Sequence, residues 1–330
     1  MHRKLGDVSI PATGLGWMGI SVVYGSVGST KIDSKFVLDA AYAAGCTLWD
    51  TANTYGDSEE LIGKWFKLNP GKREKIFLAT KVGFTMTGAR GDPEYIKEQC
   101  AQSLKRLGVA CIDLYYLHRV DRNTPIEKSV GAMAELVKEG KVKYLGLSDC
   151  TSAGLRRAHA IHPIAALQIE FSPIVLEVEQ APLNLVQTAR ELGTKIVAYS
   201  PLGRGFLTGQ IKSHADLEEG DMRRNFPKFS GENFPKILAL AGKIGEIGKR
   251  HGASAGQTTL AWTLAQGEDF FVIPGTKKIK YIHEIAAAAS VKLTEAEVAE
   301  IRSLAEATDI QGDRSPAGLQ DMAYADSPPL

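Results

Sequence analysis

The 330-residue chain sets 39 Lys and Arg against 38 Asp and Glu, a formal net charge of +1, so its overall field gives no reason to expect nucleic acid or a membrane as a partner. An apolar content of 44% with 23% charged residues suits a globular protein with a sizeable core. No run approaches the ~20 apolar residues of a membrane span, and the opening MHRKLGDVSIPATG lacks the apolar stretch of a signal peptide, so a cytoplasmic location is expected. Cys46, Cys100, Cys111 and Cys150 stand apart without a C-x-x-C pair, which favours reduced core thiols over a disulfide framework or a zinc site.

Residues 3–10 read as a short hairpin turning at Gly6-Asp7, placed to cap the floor of a barrel. From Gly14 onward, apolar strand-like runs alternate with helical patterns. The expected strands are 15–19, 47–51, 76–82, 114–119, 144–148, 166–171, 196–200 and 271–274. Helical stretches fall at 34–44, 59–66, 94–107, 126–138, 181–192 and 257–265. Asp57 ahead of Glu59 and Glu60, and Asp92 followed by Pro93, read as helix starts. Strict β–α alternation implies parallel strands with helical crossovers, and eight repeats fit a closed (β/α)8 TIM barrel better than an open doubly wound sheet.

One connection, 203–235, is long and rich in Gly, Pro and charge, as lids and insertions are. After the eighth strand come a helix at 278–289 and another opened by the capping box Thr294 to Glu297. A polar tail, about 310–330, is expected to drape over the surface. One domain over 1–330 is expected. The string Gly14-Leu-Gly16-Trp-Met-Gly19 spells G-x-G-x-x-G, but a hairpin rather than a strand precedes it and no long helix is expected there. It reads as the first barrel strand, not as a dinucleotide fingerprint.

Catalytic groups of a barrel gather where strands meet their C-terminal loops. Asp50 ends the second strand with Tyr55 just beyond it; Lys81 and His118 lie near the ends of the third and fourth. Adjacent strands therefore bring all four to one rim. Tyrosine, with a pKa of ~10, is a sluggish proton donor at neutral pH. A nearby ammonium stabilises the phenolate and so lowers that pKa, an Asp50–Lys81 pair would hold the ammonium in place, and His118 could orient a substrate oxygen or join a proton relay. The set is what is needed to protonate a carbonyl oxygen while a hydride reaches its carbon. No ligand cluster for a metal is present in the sequence. Trp17, Tyr24, Phe84 and Arg119 fall on loops near Tyr55, an aromatic substrate pocket with a possible anionic or polar anchor. The 203–235 connection and the tail around Arg314 could also border its mouth.

The segments GLGWMGIS, WDTANTYGDSEELIG, ATKVG, DLYYLHRVD, YLGLSD, LQIEFS, YSPLGRGFLTG and VIPGTKK occur in the order they take in the aldo-keto reductases, which the chain resembles from about Lys4 to Glu306. The resemblance implies a barrel using NADPH on a small carbonyl substrate, with Tyr55 as general acid and Asp50, Lys81 and His118 completing a tetrad. By the same likeness Gly16, Trp17 and Met18 skirt the cofactor, Ser148, Asp149 and Gln168 meet the nicotinamide carboxamide, and Tyr199 stacks on the ring. Ser200, Leu202 and Arg204 follow in the pyrophosphate loop. Thr276, Lys277 and Lys278 match the segment holding the 2′-phosphate, with Glu284 toward the adenine. Adjacent lysines at a helix start also suit a dianionic phosphate on physical grounds.

Two positions depart from the family pattern. Ile285 stands where Asn usually follows the adenine-side Glu, removing one polar contact, and Asp149 stands where Asn is common. A carboxylate there can accept from the carboxamide but cannot donate to it. Three functions are compatible with these observations: an NADPH-dependent reductase acting as a monomer or weak homo-oligomer, a redox-sensing NADPH-binding subunit resembling the potassium-channel β subunits, and an isomerase or lyase using the barrel's phosphate site.

Overall fold

The computed structural model describes residues 1–21, 34–314 and 322–330. Strands β1 (His2–Leu5) and β2 (Val8–Pro11) form the antiparallel hairpin expected around Gly6. The barrel begins with β3 (Leu15–Gly16), followed by the one-turn helix α1 (Met18–Ser21), α2 (Ser34–Ala43), β4 (Leu48–Asp50), α3 (Ser58–Leu68) and β5 (Phe77–Val82). A second small hairpin, β6 (Phe84–Thr85) with β7 (Gly88–Ala89), leads into α4 (Pro93–Leu107), β8 (Ile112–Leu117), α5 (Ile126–Lys138) and β9 (Val142–Ser148). Then come α6 (Ser152–Ile161), β10 (Ile164–Glu170), α7 (Leu185–Glu191), β11 (Lys195–Tyr199), α8 (Asn233–Lys249), α9 (Ala255–Leu264), β12 (Phe270–Val272), α10 (Ile279–Ala288) and α11 (Glu295–Ala307).

Eight strands pair in the order β12-β11-β10-β9-β8-β5-β4-β3, all parallel. Between the first and last strands, Gly14 N donates to Val272 O at 2.8 Å and Gly16 N to Pro274 O at 3.1 Å, which closes the barrel. The seam is tight: a Cβ on Gly16 would lie 2.9 Å from Ile273 O, and one on Gly275 2.9 Å from Gly16 O, so both positions require glycine. Within β5, side chains alternate. Lys81 turns into the barrel, where it meets Asp50, while Thr80 turns outward and donates to Glu59 of α3. The apolar cluster fills the barrel and the layer under its helices, from Leu5 to Ala325.

Several local expectations change. Strand one is two residues long because a helical turn begins at Met18, inside the Gly-rich string. Asp57 precedes α3 but makes no capping bond; the Ser58 hydroxyl instead meets Thr51 Oγ1 at 2.7 Å. Asp92 caps α4 as expected, accepting from Tyr95 N at 3.1 Å, and α11 has its reciprocal box between Thr294 and Glu297. Connection 203–235 is not a bare loop. Four short 3-10 turns fold it around stacked Phe206 and Phe229, centroids 4.3 Å apart, with Phe234 edge-on to Phe206. The described end of the tail, 322–330, is pinned to the barrel: Ala325 bridges to Cys150, and Ser327 Oγ accepts from Ile126 N at 3.0 Å. Among the described residues, no helix is long and apolar enough to cross a membrane.

Candidate active site

At the C-terminal rim, register does what the sequence expects of it. Asp50 is the last residue of β4 and pairs with Gly16 and Ala79 on its two neighbours. Lys81 lies opposite Tyr116 of β8, and His118 N donates to Val82 O at 2.6 Å one step beyond the strand. Fully buried, the Lys81 ammonium pairs with Asp50 Oδ1 and donates to Thr51 O at 2.8 Å. The other Asp50 oxygen accepts from Gln168 Nε2, 2.8 Å away across the barrel. Two donors, Lys81 Nζ and Gln168 Nε2, thus meet the Asp50 carboxylate, while burial moves its pKa upward against them. Burial works against the Lys81 cation, but Asp50 and Tyr55 together outweigh it and raise its pKa.

Tyr55 rides on the turn after β4, which is stapled at several points. Tyr55 N donates to Ala52 O at 3.1 Å and Ser58 N to Tyr55 O at 3.0 Å. Asn53 is held by Lys81 O at 3.2 Å through its backbone and by Gln99 Oε1 at 3.0 Å through its side chain. Behind the turn, Glu59 takes the Thr80 hydroxyl at 2.6 Å and Arg106 Nε at 2.7 Å. The Lys81 ammonium lies 4.9 Å from the Tyr55 ring centroid, and the Tyr55 hydroxyl stands 3.5 Å from His118 Nε2. Burial raises the phenol's pKa more strongly than Lys81 lowers it, so the net direction is upward, opposite to the expectation from charge proximity alone. At neutral pH the phenol therefore holds its proton. Burial, then Arg119 and Lys81, drives His118 well below the ordinary histidine range, so the imidazole is neutral.

A second group of polar residues lines the same rim from β9 to β11. Asp149 follows β9 and is fully buried. Its Oδ2 accepts from Tyr199 Oη at 2.8 Å and pairs with Arg119 and Arg314, each at 3.1 Å, while its Oδ1 is buried with no partner. Arg119 also donates to His118 O at 2.7 Å and to Ser148 Oγ at 3.3 Å, which ties the two groups together. Glu170, at the end of β10, pairs with Arg204 at 3.5 Å and Arg314 at 3.4 Å. Asp149, Ser200 and Arg204 all hold positive φ, 48°, 49° and 55°. Such strained backbone gathers at ligand sites.

Of the pocket residues, Phe84 leans against His118 with centroids 5.4 Å apart. Trp17 is core rather than open lining: its ring packs edge-on to Trp49 at 5.3 Å, and its Nε1 is buried without a partner. Met18 is half-buried, Leu202 lies half-buried after β11, and Tyr24 falls outside the described residues. At the closing seam, Thr276 Oγ1 accepts from Lys278 N at 3.1 Å, setting Lys277 and Lys278 at the start of α10. Lys280 and Glu284 face each other there at 4.0 Å, while Ile285 is buried in the core. An open groove of about 1300 Å³ lies elsewhere, at the strands' N-terminal ends between α3 and α4, and holds none of these groups.

With this geometry in place, the relatives decide the matter. The pattern of the aldo/keto reductase family matches residues 14–306. The chain belongs to that family. It is 63% identical over 319 residues to the aldo-keto reductase str7 of Strobilurus tenacellus, spanning 95% of this chain and 94% of the relative. It is 45% identical over 336 residues to the aldo-keto reductase yakc [NADP(+)] of Schizosaccharomyces pombe, spanning 99% and 98%. Among solved structures, the glycerol dehydrogenase AKR11B4 from Gluconobacter oxydans superposes with a TM-score of 0.83 at 26% identity, covering 93% of this chain and 95% of that one. The thermostable aldo-keto reductase Tm1743, in complex with the inhibitor epalrestat, gives 0.75 at 29% identity over 92% and 99%.

Sequence reasoning gave no role in this candidate site to several of its residues. Glu59, Thr80 and Gln99 brace the Tyr55 turn, and Glu170 anchors two guanidiniums. An outward-facing Thr beside an inward Lys was a signal for the first set, since parity alone sends Thr80 toward α3. Arg314 is expected only somewhere near the mouth, and nothing local announces its partners.

Proposed function

We propose that this protein is an NADPH-dependent oxidoreductase that reduces aldehydes or ketones to alcohols, with Tyr55 as the proton donor. The observation that carries the reading is Tyr55 at the barrel rim with its ring 4.9 Å from the Lys81 ammonium and its hydroxyl 3.5 Å from His118 Nε2. NADPH, when bound, supplies the hydride at the nicotinamide. All other steps belong to the protein. Tyr55 keeps its proton at neutral pH and releases it to the carbonyl oxygen as negative charge develops there. Lys81, locked by Asp50, stabilises the phenolate left behind. His118, neutral, orients the substrate oxygen, and Phe84 beside it gives the pocket an aromatic wall.

The residues present suit that cofactor. Asp149 Oδ1 is a buried acceptor without a donor, which suits a carboxamide N–H, and Tyr199 binds the other oxygen of the same carboxylate. The paired lysines at the start of α10 suit a 2′-phosphate. The name yakc [NADP(+)] of the 45% identical relative supports the same choice.

The test compares wild type with Tyr55→Phe for NADPH oxidation against a panel of aromatic and aliphatic aldehydes. Turnover should fall by roughly 10²–10⁴, the range for a lost general acid, with NADPH affinity unchanged. Unchanged turnover would sink the mechanism. A redox-sensing regulatory subunit on the same barrel would bind NADPH and turn over none of the panel, which the same assay reads.

A further inference from the structure

The C-terminal tail brings a charge to the rim that the proton-transfer scheme does not use. Arg314 is 9% exposed by side chain, and its guanidinium touches both carboxylates of the second group: Asp149 Oδ2 at 3.1 Å and Glu170 Oε2 at 3.4 Å. It also donates to Tyr199 Oη at 2.9 Å and lies over the Tyr324 ring, 4.2 Å from its centroid. A buried guanidinium is costly unless paired and hydrogen-bonded, and here those partners are all rim residues or tail. Arg314, Tyr199 and Asp149 form one directed chain, because Tyr199 accepts from Arg314 and donates to Asp149. Asp149 Oδ2 is thereby saturated with three donors while Oδ1 has none.

We propose that Arg314 is a cofactor-positioning residue supplied by the tail, paired with Asp149 so that a carboxylate can serve where an amide side chain would otherwise meet the nicotinamide. The inference rests on NADPH as the cofactor. An unscreened Asp149 would set a bare negative charge beside the ring and leave the orientation of its two oxygens free. With Arg314 and Arg119 on Oδ2, the charge is offset and the buried, unpartnered Oδ1 is left to accept from a carboxamide N–H. The bond to Tyr199 Oη fixes the ring that stands beside that amide. Asp149 keeps a pKa below the ordinary carboxylate range despite burial, which raises it, because Arg314 and Arg119 together lower it further. The guanidinium also disfavours a second positive charge, so it should discriminate against the oxidised, cationic nicotinamide.

The test measures dissociation constants for NADPH and NADP⁺ by fluorescence titration, with melting of the apo-protein as a folding control. Wild type is compared with Arg314→Ala, Arg314→Lys, Asp149→Asn and the double variant Asp149→Asn/Arg314→Ala. Arg314→Ala should weaken NADPH by about tenfold or more, the size of a lost charge-assisted contact. Arg314→Lys should recover part of that loss, and NADP⁺ should be weakened less than NADPH. In the Asp149→Asn background, removing Arg314 should cost less than about threefold, because the charge it screens is gone. Equal NADPH binding by wild type and Arg314→Ala overturns the proposal, as does an equal loss in both Asp149 backgrounds. Wild type that binds no NADPH defeats instead the cofactor reading on which this rests.

Discussion

The wall that carries Tyr55 and the wall that carries Asp149 face the same space yet are assembled differently. On the Tyr55 wall, every working group comes from the end of β4, β5 or β8 or the residues just after, and the buried charges cancel within one pair, Lys81 and Asp50. Its supporting bonds run mostly between neighbouring strands and the helices behind them, Thr51 to Ser58, Thr80 to Glu59 and Asn53 to Lys81, with Gln168 reaching Asp50 across the barrel. On the Asp149 wall, two carboxylates meet three guanidiniums, and one of these, Arg314, comes from the tail, 115 positions from the Tyr199 hydroxyl it binds. If Tyr55 donates the proton as proposed, it needs fixed neighbours to set its proton affinity, and strand ends supply them. The Asp149 wall is completed instead by a residue far along the chain, Arg314.

That contrast can be broken most directly at Lys81. Lys81→Met should strand a buried Asp50 carboxylate and destabilise the fold by about 3–5 kcal/mol, the cost of removing one partner from a buried pair. Urea denaturation reads this, and a loss under about 1 kcal/mol would mean the Tyr55 wall does not depend on the pair. Turnover should fall at least as far as in Tyr55→Phe.

Farther out on the cofactor side, Lys277→Met with Lys278→Met should weaken NADPH on the order of ten- to a hundredfold while leaving NADH within about twofold. Equal losses for the two dinucleotides would contradict the phosphate assignment at the start of α10.

The smallest effect concerns His118. Its folded pKa lies well below the ordinary 6.5, so as pH falls from 6.5 toward the folded value, the unfolded chain takes up a proton that the folded one refuses. Stability contributed by the neutral imidazole is thus present above 6.5 and lost below it, at up to about 1.4 kcal/mol per pH unit. Denaturation midpoints measured between mildly alkaline and mildly acidic pH should show that slope, and His118→Asn should flatten it. An unaltered slope in the variant would assign the titration to another group.

Much of this was legible in the residues. Eight apolar runs spaced by amphipathic ones imply the barrel, and strand-end positions alone put Asp50, Tyr55, Lys81 and His118 on one rim. Position 285 was legible only as a departure from the family pattern; its burial in the core needed the packing of α10. The folding of the 203–235 connection was not legible because much of it comes from Phe206 stacking on Phe229, whereas the missed helix α8 does carry a helical apolar repeat at Phe234, Ile237, Leu240, Ala241, Ile244 and Ile247.

By itself, then, the order of residues determined the periodicity, the register and hence which side chains point into the barrel, since those follow from repeats of two and 3.6 along the backbone. Only the tertiary structure decided two things. The Tyr55 pKa moves up rather than down, because desolvation depends on everything packed around the phenol. Arg314 reaches Asp149 because long-range ion pairing depends on where the folded chain brings its tail, a distance no local pattern records.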